Sequence, residues 1–176
     1  YREAIKIKHD YAEAHSNLGI ILKDLGKLKE AEFLYRKAIE IKPNYAEAHY
    51  NLGIILKDLG KLQEAETYTR KAIEINPNFA ESHSNLGTIL KDLGKLKEAE
   101  ISTRKAIEIN PDFAGAHSNL GNILKDLGKL KEAELSTRKA IELNPRFAEA
   151  HFNLSRIFID LGKSKEAEIS TLKTIE

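Results

Sequence analysis

The sequence repeats itself at a fixed step of 34 residues. Residues 82–100 read SHSNLGTILKDLGKLKEAE, and close variants begin at Ala14, Ala48, Ala116 and Ala150. Ala12, Ala46, Ala80, Ala114 and Ala148 keep the step, as do Pro43, Pro77, Pro111 and Pro145. Self-similarity at this period indicates a stacked solenoid, because one short unit cannot bury its own apolar face and needs the next unit to cover it.

Each unit reads as two helices. Ala12, His15, Leu18, Gly19, Leu22 and Leu25 lie three and four residues apart, the spacing of a helix with one buried face. This helix A ends at Gly26, and its copies end at Gly60, Gly94, Gly128 and Gly162, residues that tolerate the left-handed conformation of a helix terminus. A second helix, B, is expected over Leu28 to Ile41, with Leu28, Ala31, Tyr35, Ala38 and Ile39 on its inner face, and Pro43 prevents it from continuing. Small residues at Gly19, Ala31 and Ala38 let neighbouring helices approach closely.

Composition narrows the function classes. Hydrophobic residues make up 41% and charged residues 31%, as in a soluble helical protein, and no apolar run approaches the roughly 20 residues that span a bilayer. No membrane partner is expected. A net charge of +1 provides no basic surplus for phosphate backbones, so no nucleic-acid partner is expected either. With no Cys there is no thiolate nucleophile, disulfide or cysteine metal site, which fits a reducing, cytoplasmic location. The start at Tyr1, with neither Met nor a signal-peptide pattern, reads as an internal fragment cut within a repeat.

The motif His15-x2-Leu18-Gly19-x2-Leu22, followed by Ala31-x3-Tyr35, Ala38 and Pro43, resembles the tetratricopeptide repeat, TPR, whose pattern has Trp at the His15 place. The resemblance implies an all-α fold, a right-handed superhelical solenoid of antiparallel helix pairs. Residues 1–11 then form the end of a truncated repeat, followed by repeats at 12–45, 46–79, 80–113 and 114–147 and an incomplete fifth at 148–176. Two departures recur: His replaces Trp at 15, 49, 83, 117 and 151, and Thr69, Thr103, Thr137 and Thr171 replace the helix-B aromatic that Tyr35 keeps. The volume lost at Thr is expected to be recovered by Ile101, Leu135 and Ile169, two residues earlier. The fifth repeat departs further, with Ser155, Ile159, Ser164 and Thr174.

The family holds peptides or proteins in a groove lined by its A helices. In the first repeat the face of helix A opposite the apolar stripe carries Glu13, Ser16, Asn17, Ile20, Lys23 and Asp24. Its most regular member is the Asn at 17, 51, 85, 119 and 153. A carboxamide has both donors and an acceptor, so each Asn could pair with the backbone of an extended ligand whatever its side chains are. Packed helices lie roughly 8–10 Å apart and an extended chain advances about 3.3–3.6 Å per residue, so one Asn would meet about every third ligand residue. This ladder resembles the TPR region of the O-linked N-acetylglucosamine transferases, which grips substrate backbones through such Asn residues. The alternative is an Asn that hydrogen-bonds within or between A helices. Tyr50, Ile54, Thr88 and Asn122, where the repeats vary, are candidate selectivity residues, and the drift of solvated positions is the competing account. Lys57, Lys91 and Lys125, each followed by Asp, are candidate contacts for acidic groups or members of a solvated charged face.

No catalytic constellation, metal site or cofactor is expected. Zinc needs ligands about 2.0–2.1 Å from one ion, whereas equivalent His residues are separated by roughly a helix diameter. His therefore reads as a packing residue or as a pH-responsive seam. The expected partner is a protein or peptide, and the chain is expected to be a binding scaffold, not an enzyme. The alternatives are a structural array that self-associates end to end and a substrate-recruiting segment of a larger enzyme.

Overall fold

The computed structural model describes residues 11–174. Among them are ten helices and no strand: α1 (Ala12–Asp24), α2 (Leu28–Ile41), α3 (Ala46–Asp58), α4 (Leu62–Ile75), α5 (Ala80–Asp92), α6 (Leu96–Ile109), α7 (Ala114–Asp126), α8 (Leu130–Leu143), α9 (Ala148–Asp160) and α10 (Ser164–Leu172). Odd-numbered helices are the A helices and even-numbered ones the B helices. The reading of residues 1–10 as the tail of an earlier repeat lies outside the described residues.

The stops work as their chemistry requires. After α1, Gly26 takes φ 72°, its N–H donates to the Lys23 carbonyl at 2.9 Å, and Lys27 N–H donates to the Leu22 carbonyl at 2.8 Å. These two bonds form a Schellman closure, in which a left-handed residue satisfies carbonyls that the helix leaves open. The corresponding glycines close the other A helices with φ between 72° and 76°. Because helix α1 ends at Asp24, Leu25 lies beyond the buried stripe and is 66% exposed.

The chain divides into two compact units, residues 1–82 and 83–176. In the first, Ala12, Ala38 and Ala48 form a buried cluster where α1, α2 and α3 meet, with Ile39, Ile41 and Tyr45 packed around it. Three alanines in one contact let the backbones come close. In the second, Leu120, Leu124, Ala133 and Ile157 form one core cluster, and Leu154, Phe158 and Ala167 form another.

The Tyr-to-Thr change is accommodated differently from the expectation. Ile101, Leu135 and Ile169 are 70%, 70% and 58% exposed, so they recover none of the lost volume. Two residues along a helix are about 200° around it, which turns those side chains away from the Thr position. Instead the small residue itself meets the facing glycine of helix A. A Cβ at Gly19 would meet the Tyr35 ring, whereas one at Gly53, Gly87 or Gly121 would collide with the hydroxyl of Thr69, Thr103 or Thr137. Thr103 and Thr137 are fully buried and satisfy their hydroxyls on the carbonyls of Ala99 and Ala133, at 2.9 and 2.8 Å. In the fifth repeat Ser155 replaces the glycine and its hydroxyl lies 2.8 Å from that of Thr171, so a steric contact becomes a hydrogen bond.

Candidate functional site

In the first unit, α1 and α3 carry the candidate face. Ser16 is buried, Asn17 and Asn51 are half-buried, and neither Asn has a side-chain hydrogen bond among the described residues. Tyr50 packs against Phe79, ring centroids 4.9 Å apart, and burial pushes its phenol above the ordinary range. Ile54 is half-buried beside it in the helix, and Ile20, its counterpart in α1, is 38% exposed. Half-buried Lys57 has no ion pair among the described residues, whereas Lys23 lies 3.8 Å from Asp24.

In the second unit the Asn series has a defined partner. Asn119 Nδ2 donates to the Ser84 hydroxyl at 3.0 Å, and Asn153 Nδ2 donates to the Ser118 hydroxyl at 3.1 Å. Each bond joins an A helix to the A helix one repeat earlier. Asn153 is only 3% exposed, so this bond is its whole visible role, while Asn119 is half-buried and keeps its carbonyl oxygen and a second N–H. Asn85 is also half-buried. Thr88 folds its hydroxyl back onto the Asn85 carbonyl at 2.8 Å, and Asn122 is half-buried one turn after Ser118. Lys91 and Lys125 lie 3.5 and 2.9 Å from Asp92 and Asp126, so these charges pair along their own helix.

The histidines tie helix A to the loop before it. Nε2 of His49, His117 and His151 donates to the carbonyl of Pro43, Pro111 and Pro145 at 2.8, 2.9 and 2.9 Å, and a carbonyl can only accept, so Nε2 carries the proton. His15 instead donates from Nδ1 to the Tyr11 carbonyl at 3.0 Å. Burial, the leading cause, holds the His49 imidazole below its ordinary range. No group of three metal-ligating side chains occurs among the described residues.

A charge network between B helices escaped sequence reasoning. Glu32 accepts from Lys61 at 3.0 Å, Glu100 from Lys129 at 2.8 Å and Glu134 from Lys163 at 2.9 Å, each joining one repeat to the next. Arg36 and Arg104 hold the same carboxylates four residues back and reach forward to Glu64 and Glu132 at 2.7 and 3.0 Å. The signal was present as charges recurring 28 and 29 residues apart, a separation that a single-helix pattern does not test.

The model of the tetratricopeptide repeat matches residues 46–79, 80–113 and 114–147, and related models of the TPR repeat and the tetratricopeptide repeat match 19–60 and 137–169. No curated protein matches the chain. Among solved structures, YrrB, described as a TPR protein with an unusual peptide-binding site, is 25% identical with a TM-score of 0.72, over 99% of this chain and 90% of its own. TTC0263, a thermophilic TPR protein of Thermus thermophilus, is 23% identical with a TM-score of 0.83, over 94% of this chain and 90% of its own. PilF of Pseudomonas aeruginosa is 22% identical with a TM-score of 0.83, over 93% of this chain and 75% of its own. The fold is thus that of the TPR solenoids. Among the described residues no helix is long and apolar enough to cross a membrane.

Proposed function

The chain belongs to the tetratricopeptide repeat family, and we propose that it binds extended peptide along the A-helix face of each unit, gripping the ligand backbone through Asn17 and Asn51 in the first and through Asn85 and Asn119 in the second. The family is one of protein-interaction scaffolds. The observation that carries the finer reading is the state of the carboxamides: Asn17 and Asn51 have no side-chain partner among the described residues, and Asn119 spends one donor on Ser84 and keeps its acceptor. An amide that already holds its neighbour is pre-oriented, so less side-chain freedom is lost when a ligand binds.

The backbone grip resembles the ladder of the O-linked N-acetylglucosamine transferases, and the peptide-binding site ascribed to YrrB favours a peptide as the ligand class. Tyr50 and Ile54 would add apolar contacts in the first unit, and Thr88 and Asn122 polar ones in the second. Lys57, without a carboxylate partner among the described residues, is the best placed of the three lysines to meet an acidic group; Lys91 and Lys125 would first have to leave their aspartates. Asn153 is left out of the grip because it is buried.

The test is a peptide array of unrelated extended sequences probed with the wild-type chain, Asn51→Ala, and the triple variant at Asn51, Asn85 and Asn119. Binding to peptides of different sequence should weaken alike, with helical circular dichroism unchanged. Asn51→Ala removes no side-chain hydrogen bond found among the described residues, so its effect reports ligand contact. Unaltered affinity for every bound peptide would overturn the ladder. The other reading, self-association, draws on Ile159, Ile169 and Leu172, exposed at 63%, 58% and 58%. Light scattering over a concentration series separates the two, since a monomer at all concentrations excludes it.

A further inference from the structure

We propose a second binding site in the fourth repeat, on the side of α7 away from the Asn face: a cleft between α6, α7 and α8 that takes a tyrosine side chain of a partner polypeptide. The cleft measures ≈ 400 Å³ in the fifth repeat and ≈ 540 Å³ in the fourth, where Leu120, Leu124, Leu135 and the His117 ring line it and Arg104 and Glu132 stand at its rim. That volume lies within the range of small-ligand pockets. Leu135, at 70% exposure, is an apolar wall without cover.

The occupant is identified by the second repeat, where the chain fills the same place with its own side chain. Tyr68 stands there where the fourth repeat has Ser136. Its ring stacks on His49, centroids 5.9 Å apart, and lies 5.3 Å from the Arg36 guanidinium carbon. Arg36 commits Nε and Nη2 to Glu32 and Glu64, and its remaining nitrogen, Nη1, donates to the Tyr68 hydroxyl at 2.9 Å.

The fourth repeat keeps every part of this receptor except the ring. Arg104 commits Nε and Nη2 to Glu100 and Glu132 in the same manner, and its Nη1 has no acceptor among the described residues. Ser136 is too short to reach it and donates instead to the His117 carbonyl at 3.0 Å. His49 under Tyr68 is 4% exposed, whereas His117 is only half-buried. In the fifth repeat Phe158 supplies the ring beneath the equivalent Arg138, at 5.3 Å, which accounts for the smaller cleft there. A phenol entering the fourth-repeat cleft would stack on His117, cover Leu120 and Leu124, and accept from Arg104 Nη1. Phenylalanine would meet the apolar walls but leave that donor unused.

The probe is p-cresol, the isolated tyrosine side chain, titrated into the ¹⁵N-labelled full chain, with toluene as the analogue lacking only the hydroxyl. Saturable shifts are expected at the amides of His117, Leu135 and Ser136, several-fold weaker with toluene. Ser136→Tyr fills the cleft from within and should reduce p-cresol affinity at least tenfold, whereas Tyr68→Ser should open a matched site beside His49 in the first unit. Should Tyr68→Ser fail to fold, the Ser136→Tyr arm decides alone. Absence of saturable shifts at these amides, equal binding of toluene, or full binding by a folded Ser136→Tyr variant would each overturn the assignment.

Discussion

Gly121 and Thr137 meet across the contact between α7 and α8. A methyl group at Gly121 would collide with the Thr137 hydroxyl, which is buried and turned back onto the Ala133 carbonyl. Alanine is favoured over glycine in a helix interior by about 1 kcal/mol, but forcing an atom into a closed contact costs about 1–3 kcal/mol. Gly121→Ala is therefore expected to lower unfolding free energy by about 1 kcal/mol net, within those two ranges. Adding Thr137→Ala removes the colliding oxygen and should restore much of the loss, because that hydroxyl bonds only within its own helix. Urea denaturation of the two single variants and the double variant measures the coupling. Additive effects would show that the contact does not set the helix spacing. The glycine itself was legible from the family pattern, but what it packs against was not, since the Tyr35 ring and the Thr hydroxyls each leave no room for a Cβ at the facing position.

Between elements, the carboxylates of the B helices act as joints. Glu100 accepts from Lys129 of the next repeat and from Arg104 of its own, and its side chain is 14% exposed. The Lys129 hydrogen bond, opposed by partial burial, holds its carboxyl below the ordinary value of 4.5. In the unfolded chain it returns to that value, so between the two the unfolded state binds more protons and stability rises with pH. The contribution is complete above about pH 4.5 and is lost as pH falls through the lowered folded value. Glu100→Gln should cost up to about 1 kcal/mol at neutral pH, and the gap from wild type should narrow as pH is lowered from about 6 to about 3 in matched thermal melts. A gap independent of pH would assign the loss to packing. Sequence reading found the helices, because their 3.6-residue period and Gly and Pro stops are local. It missed this network because the partners lie in different repeats, 29 residues apart, and only the stacking of helices brings them together. A bond between A helices was the alternative reading of the Asn series, but Ser84 as the partner of Asn119, 35 residues away, was not legible. It also placed Ile101 and Leu135 as core fillers by volume alone, and the angle around the helix sends them to the surface.

At the scale of the molecule, the helix contacts seen among the described residues of each unit join a helix to its own partner or to a helix of the adjoining repeat. Stability in such an array is a sum of repeat terms and nearest-neighbour terms, so damage should spread only as far as the contacts carry it. Leu124 is 1% exposed in a cluster with Leu120, Ala133 and Ile157, contributed by α7, α8 and α9. Leu124→Ala leaves a cavity among all three and should cost about 2–5 kcal/mol locally. Hydrogen exchange followed by mass spectrometry should then show faster exchange throughout α7, α8 and α9. Peptides from α1 and α2, whose cluster of Ala12, Ala38 and Ala48 lies in the other unit, should keep wild-type rates. Equal loss of protection in α1 and α2 would mean that the chain unfolds as one cooperative block. A loss confined to α7 through α9 would mean that binding sites in different repeats can be altered one at a time without disturbing the rest of the scaffold.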